Sequence, residues 1–125
     1  MAKKTRGMSS TESLKTIDSS EELQITVMGR RSGREHSTPV WFVREERSIF
    51  LLPVKGSKSQ WYQNVLRSNR IKISSGSVSY DLPAKPLTDS KNVAGVVDKF
   101  RRKHGAGDVK KYYTGSDVAV ELSLP

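Results

Sequence analysis

Six short segments of the sequence either alternate between apolar and polar residues or stay apolar for several residues. Alternation with a period of two places every second side chain on one face, as in a β-strand with one buried side. The sequence shows no strand–helix–strand alternation, which argues against a doubly wound parallel sheet. The six predicted strands cover residues 23–29, 38–45, 48–56, 70–74, 77–85 and 117–125.

Two other segments have the spacing of amphipathic helices. Residues 88–105 carry an apolar stripe, place four basic residues in the last turn and end at Gly105. Residues 56–69 predict a shorter helix that Ser57 or Ser59 would cap. We therefore expect a mainly β protein: a six-stranded antiparallel barrel with one helix after the third strand and one before the last.

The length of 125 residues fits one domain, with a structured part over residues 21–125. Residues 1–20 are basic and then rich in serine and threonine, which predicts a flexible tail and neither a signal peptide nor a membrane span. The absence of cysteine excludes disulfides and thiolate chemistry and is compatible with a cytoplasmic protein. The net charge of +9 favours an anionic partner: a phosphorylated cofactor, an acidic substrate, nucleic acid or a membrane surface.

Two basic segments follow predicted strands. Gly29–Gly33 contains Arg30, Arg31 and Ser32, and a glycine turn with these side chains can bind phosphate or carboxylate. Residues 55–59, KGSKS, precede a predicted helix whose first turn also attracts anions. The alternatives are an ordinary hairpin turn and an ordinary helix start. In an antiparallel layout, the two basic segments would lie side by side.

No hydrolytic or metal-binding pattern is present. His36 and His104 are the only histidines and have no partner at ligand spacing, so we expect no metal site. If the protein is an enzyme, a cofactor would carry the chemistry. Trp61 and Tyr62 would either form the wall of a site for a flat ring or belong to the core, and the tyrosines at 112 and 113 would act as donors or as surface cover.

A resemblance to a known family rests on three pieces of sequence in a fixed order: TVMGRRSGREHSTPVWFV, a strand ending before Lys55-Gly56, and WYQNVLRSNRIKI. This order resembles the deazaflavin-dependent nitroreductase family, which has a flavin-reductase-like split β-barrel and is related to pyridoxamine-phosphate-oxidase-like FMN-binding proteins. The chain departs from the family pattern at His36, Val54, Ser57 and the pair Asn69-Arg70.

The resemblance implies a set of functional residues. Tyr112 or Tyr113 would be the catalytic residue on the substrate side, with Tyr113 slightly favoured. The coenzyme, with Lys55 at its phosphate or acidic tail, would contact Arg30, Arg31, Ser32, His36, Ser37, Thr38, Pro39, Val40, Trp41, Lys55, Gln60, Trp61, Tyr62 and Asn64.

The resemblance also implies the activity. The protein would bind the 8-hydroxy-5-deazaflavin coenzyme (coenzyme F-420) and transfer hydride to a quinone, an enone or a nitro compound, and it would form a homodimer. The alternatives are an FMN-binding split-barrel reductase, a basic nucleic-acid-binding β-barrel that uses RRSGR and RIKIS, and a ligand-binding protein without turnover.

Overall fold

The protein folds around one curled antiparallel sheet of seven strands, in the order β2-β1-β5-β6-β7-β4-β3. The computed structural model describes residues 10–113 and 115–125. The strands are β1 (Glu22–Met28), β2 (Glu35–Trp41), β3 (Val43–Glu45), β4 (Ser48–Leu51), β5 (Arg70–Ser75), β6 (Val78–Leu87) and β7 (Ala119–Ser123). The helices are α1 (Ser10–Asp18), α2 (Gln60–Ser68), α3 (Ser90–His104) and α4 (Ala106–Tyr112), with a 3-10 turn at Gly56–Lys58. The curled sheet forms a half-barrel, which confirms the predicted split-barrel class.

The number of strands differs from the prediction because the strand expected over residues 38–45 is two strands. Phe42 interrupts it with a fully buried side chain, and the neighbouring Val43 is also buried, so the alternation breaks here. β2 then pairs with β1, whereas β3 pairs with β4 at the other end of the sheet. Because one continuous segment forms both edges, the sheet must curl to bring those edges together.

The core divides into two apolar clusters. The larger one fills the half-barrel, where alternate residues of β1 (Leu23, Ile25 and Val27) face inward. The smaller one lies beneath α3 and α4 and contains Phe100 and Val109. The segment that leads to the two tyrosines is helix α4, which burial of Val109 holds in place.

The structure also differs from the prediction of a flexible tail over residues 1–20. Ser10–Asp18 forms α1, and the Ile17 side chain is fully buried in the larger cluster. Asp18 accepts two hydrogen bonds from the Arg44 guanidinium, at 2.6 and 2.7 Å. The described part of this segment therefore packs on the larger cluster, and residues 1–9 lie outside the described residues. No helix among residues 10–113 and 115–125 is long and apolar enough to cross a membrane.

Candidate functional site

The turn between β1 and β2 forms one wall of the candidate site. The Gly29 amide donates to the Arg34 carbonyl at 2.7 Å, and the Gly33 amide donates to the Gly29 carbonyl at 3.0 Å. Gly33 has a φ of +71°, a conformation that favours glycine. A Cβ atom at position 29 would come within 2.7 Å of the His36 ring and of the Ser32 hydroxyl. Gly29 therefore allows both polar side chains to pack close to the turn.

The loop Lys55–Ser59 forms the opposite wall. The Ser59 hydroxyl accepts a hydrogen bond from the Lys55 amide at 3.0 Å, so it closes this loop instead of capping α2. Asp117 accepts bonds from the Ser57 amide at 2.8 Å and from the Ser57 hydroxyl at 2.7 Å. These two bonds hold the pKa of the Asp117 carboxyl below its usual value. The loop is thus fastened to the segment that leads into β7.

Helix α2 joins the two walls. It packs on β1, and Tyr62 and Val65 bury their side chains in the larger core cluster. Arg30, in the β1–β2 turn, donates hydrogen bonds from its guanidinium to Asn64 and Gln60 on α2. The turn, the loop and α2 therefore form one connected unit.

An open groove of about 800 Å³ lies between these elements. Arg30, Arg31, Lys55 and Lys58 bring positive charge to it, and none of them forms an ion pair with a carboxylate among the described residues. Among the described residues, the lining contains no aspartate or glutamate and has an apolar part formed by Pro39, Val40, Val54 and Trp61. The described lining residues are Gly29, Arg30, Arg31, Ser32, His36, Ser37, Thr38, Pro39, Val40, Val54, Lys55, Lys58, Ser59, Gln60, Trp61 and Asn64.

The two basic segments do lie side by side, as the sequence predicts. Strands β1 and β4, which precede them, are not neighbours in the sheet, so strand pairing alone does not bring them together. The curl of the sheet and the packing of α2 on β1 place Arg31 and Lys55 in one groove. A second cavity of about 580 Å³ adjoins it at Lys55 and Lys58 and reaches Asp117.

All the predicted coenzyme-contacting residues except Trp41 and Tyr62 line the groove; their binding role stays a prediction. Trp41 packs against the smaller core cluster and stacks on His104, with ring centroids 4.4 Å apart and planes at 6°. Tyr62 is a core residue, and burial raises the pKa of its hydroxyl. The lining residues absent from the predicted set are Gly29, Val54, Lys58 and Ser59. Lys58 and Ser59 lie in the KGSKS segment, so the basic motif in the sequence already indicated that they belong to the site.

The structure does not bring Tyr112 and Tyr113 to the groove of the same chain. Tyr113 is 9% exposed and packs edge-on against Phe100, with ring centroids 5.6 Å apart. Tyr112 is 48% exposed and packs edge-on against Trp41 at 5.9 Å. Their catalytic role therefore stays a sequence-based prediction.

The buried Tyr113 hydroxyl predicts a loss of stability at alkaline pH. Burial raises the pKa of the Tyr113 hydroxyl to about 12, above its unfolded value of about 10. The native state retains this proton longer than the unfolded state, so the protein should lose stability as the pH rises from about 10 through 12. Tyr113→Phe should reduce this loss in urea unfolding.

Turnover assays of Tyr112→Phe and Tyr113→Phe test the catalytic role of the two tyrosines. A loss of about a hundredfold in either variant would support that role, and parental rates in both would contradict it.

The fold is shared with solved split-barrel structures. One is an "F420-H2 Dependent Reductase (FDR-A)", at 16% identity and a TM-score of 0.65, covering 82% of this chain and 94% of the other. A second is a putative pyridoxamine 5'-phosphate oxidase from Listeria innocua, at 10% identity and a TM-score of 0.64, covering 87% of each chain. A third, described as a domain-swapped dimer, is 16% identical with a TM-score of 0.66 and covers 82% and 80%.

The chain belongs to the family described as "Uncharacterized protein conserved in bacteria (DUF2255)", whose model matches residues 13–121. No curated protein matches the sequence significantly. The resemblance to the deazaflavin-dependent nitroreductases is supported at the level of the shared fold, and the specific assignment to them stays a prediction.

Proposed function

We propose that the protein is an oxidoreductase that binds the 8-hydroxy-5-deazaflavin coenzyme in the groove and transfers hydride to a small quinone, enone or nitro compound. The observation that carries this proposal is the groove itself, where four cationic side chains that form no ion pair with a described carboxylate lie beside an apolar surface. Structures of the same fold include an F420-H2 dependent reductase, which supports the choice of coenzyme. FMN is the alternative ligand, supported by the likeness to a putative pyridoxamine 5'-phosphate oxidase.

The residues of the groove suit a flat, anionic cofactor. Pro39, Val40 and Trp61 offer an apolar surface for a ring system, and excluding water there strengthens the electrostatic interactions nearby. Arg31 and Lys55 lie in the same groove and can hold a phosphate from two directions. A volume of about 800 Å³ falls within the usual range of small-molecule sites.

The bound coenzyme would supply the hydride, and the chain would supply orientation and protons. Negative charge develops on the oxygen of a carbonyl acceptor when hydride arrives at carbon, and a nearby donor stabilises it. Ser37, Thr38 and His36 are among the hydrogen-bond donors of the groove lining and precede the apolar residues Pro39 and Val40 on β2. We propose that one of them orients the acceptor or protonates it.

Fluorescence titration of the purified protein distinguishes the two cofactors. Coenzyme F-420 should bind at least tenfold more tightly than FMN, a difference of about 1.4 kcal/mol, because its tail carries more negative charge for the four cationic side chains of the groove to attract. Haem serves as an unrelated planar ligand in the same assay. Equal or tighter binding of FMN would replace the deazaflavin proposal with the FMN alternative, and tighter binding of haem would exclude both.

We also propose that the protein acts as a homodimer in the cytoplasm. Strand β2 is an edge strand whose residues are mostly exposed, and the nearby Met28 is 45% exposed. An unpaired edge of this kind is a usual site of association. One structure of the same fold is described as a domain-swapped dimer.

A further inference from the structure

Arg30 is held in the groove by neutral partners. Its guanidinium donates to Asn64 Oδ1 at 2.7 Å and to Gln60 Oε1 at 3.0 Å, and its backbone amide donates to Asn64 Oδ1 at 3.1 Å. Asn64 is only 6% exposed, so its packing in α2 fixes the acceptor oxygen. Two amide side chains thereby fix both the turn and the arginine head group.

Three other arginines of the chain pair with a carboxylate instead. Arg44 pairs with Asp18, Arg70 with Asp81 and Arg102 with Asp98. In each of those pairs, a carboxylate cancels most of the positive charge. An amide oxygen accepts the same hydrogen bond but carries no net charge, so Arg30 is oriented without being neutralised.

We propose that Gln60 and Asn64 are positioning residues that keep the charge of Arg30 available in the groove, and that they thereby determine its selectivity for ligands with a phosphate group. This inference rests on the anion site of the proposed function, but it assigns the selectivity to two uncharged side chains. A carboxylate at either position would keep the hydrogen bonds and cancel the charge.

The variants Gln60→Glu and Asn64→Asp test this directly because each changes one amide to a carboxylate of nearly the same shape. Gln60 is exposed, so Gln60→Glu should fold normally, and its new ion pair with Arg30 should leave the melting temperature unchanged or slightly higher. Gln24→Glu is the matched control: it makes the same charge change at an exposed position on β1 that does not line the groove.

The measurement is a ratio of affinities. FMN and riboflavin share one ring system and differ by the phosphate, so the ratio of their dissociation constants reports recognition of the anion alone. We expect Gln60→Glu to weaken FMN binding about tenfold and leave riboflavin binding unchanged, with a larger effect in Asn64→Asp because that oxygen accepts two bonds from Arg30. Gln24→Glu should retain the parental ratio. If Gln60 and Asn64 had only a structural role, the dissociation constants of FMN and riboflavin would change by the same factor.

The binding of inorganic pyrophosphate can be measured through the fluorescence of Trp61, which lines the groove. This measurement distinguishes a failure of the inference from a failure of the proposed function. If the parent protein binds neither flavin nor deazaflavin but binds pyrophosphate, and Gln60→Glu weakens that binding, then the proposed function fails and the inference stands. If folded Gln60→Glu binds FMN and pyrophosphate as tightly as the parent, or if the parent binds no anion, the inference is overturned.

Discussion

Replacing Gly56 with alanine should lower the free energy of unfolding by about 3 kcal/mol or more, the range reached when a backbone clash and an unfavourable φ combine. An added Cβ atom would lie 1.7 Å from the carbonyl oxygen of Gly115, and Gly56 has a φ of +58°. The neighbouring backbone must therefore move, and with it the Lys55–Ser59 loop that lines the groove. Urea unfolding of the variant and the parent gives the difference.

Gly76→Ala is the matched control for this prediction. Gly76 has almost the same φ, +57°, but an added Cβ atom would meet only the Thr16 side chain at an ordinary 3.7 Å. The free energy of unfolding of the control should fall only by the cost of a positive φ at a non-glycine residue, about 1 kcal/mol. Equal losses in the two variants would show that the contact between Gly56 and Gly115 does not constrain the loop.

Reversing either of two charges in the groove should weaken binding of the preferred flavin cofactor about a hundredfold, which corresponds to about 2.7 kcal/mol. Arg31→Glu and Lys55→Glu each remove a donor for the phosphate and replace it with a repelling charge. Both side chains are exposed, and neither pairs with a described carboxylate, so stability should change by less than about 0.5 kcal/mol. Titration with the cofactor and thermal unfolding measure the two effects.

Lys91→Glu provides the control for the change in net charge. Lys91 is exposed in the first turn of α3 and does not line the groove. If this variant also lost about a hundredfold in affinity, the effect would come from the overall field of the protein and not from the groove. If both groove variants bound the cofactor as tightly as the parent protein, the two basic segments would have no role in binding the phosphate.

The sequence carried enough local information to predict most strands. Leu23, Ile25 and Val27 alternate with polar residues, and a single half-buried strand accounts for that pattern. Helix α3 was predictable for the same reason, since its stripe, its Asp89 cap and its closing Gly105 are all local features. The strand pattern was thus enough to predict the fold class, and the basic motifs together with the family resemblance predicted most of the residues that line the groove.

Local patterns did not reveal the features that depend on distant contacts. Helix α1 is short, and its polar composition resembled a tail; burial of Ile17 against the larger cluster decides its structure. The break at Phe42 is invisible in a run of aromatic and β-branched residues, because it depends on which strands pair with each half. The two tyrosines lie with Trp41 away from the groove because α3 and α4 cover that side of the sheet.

Most strands, the long helix, the two basic segments and the excess of positive charge follow from the sequence, because each depends on neighbouring residues or on composition. That the basic segments share one groove follows from the tertiary structure, because β1 and β4 are not adjacent and the curl of the sheet brings their ends together. It also decided that Arg30 is held by Gln60 and Asn64, because those hydrogen bonds cross 30 and 34 residues of chain.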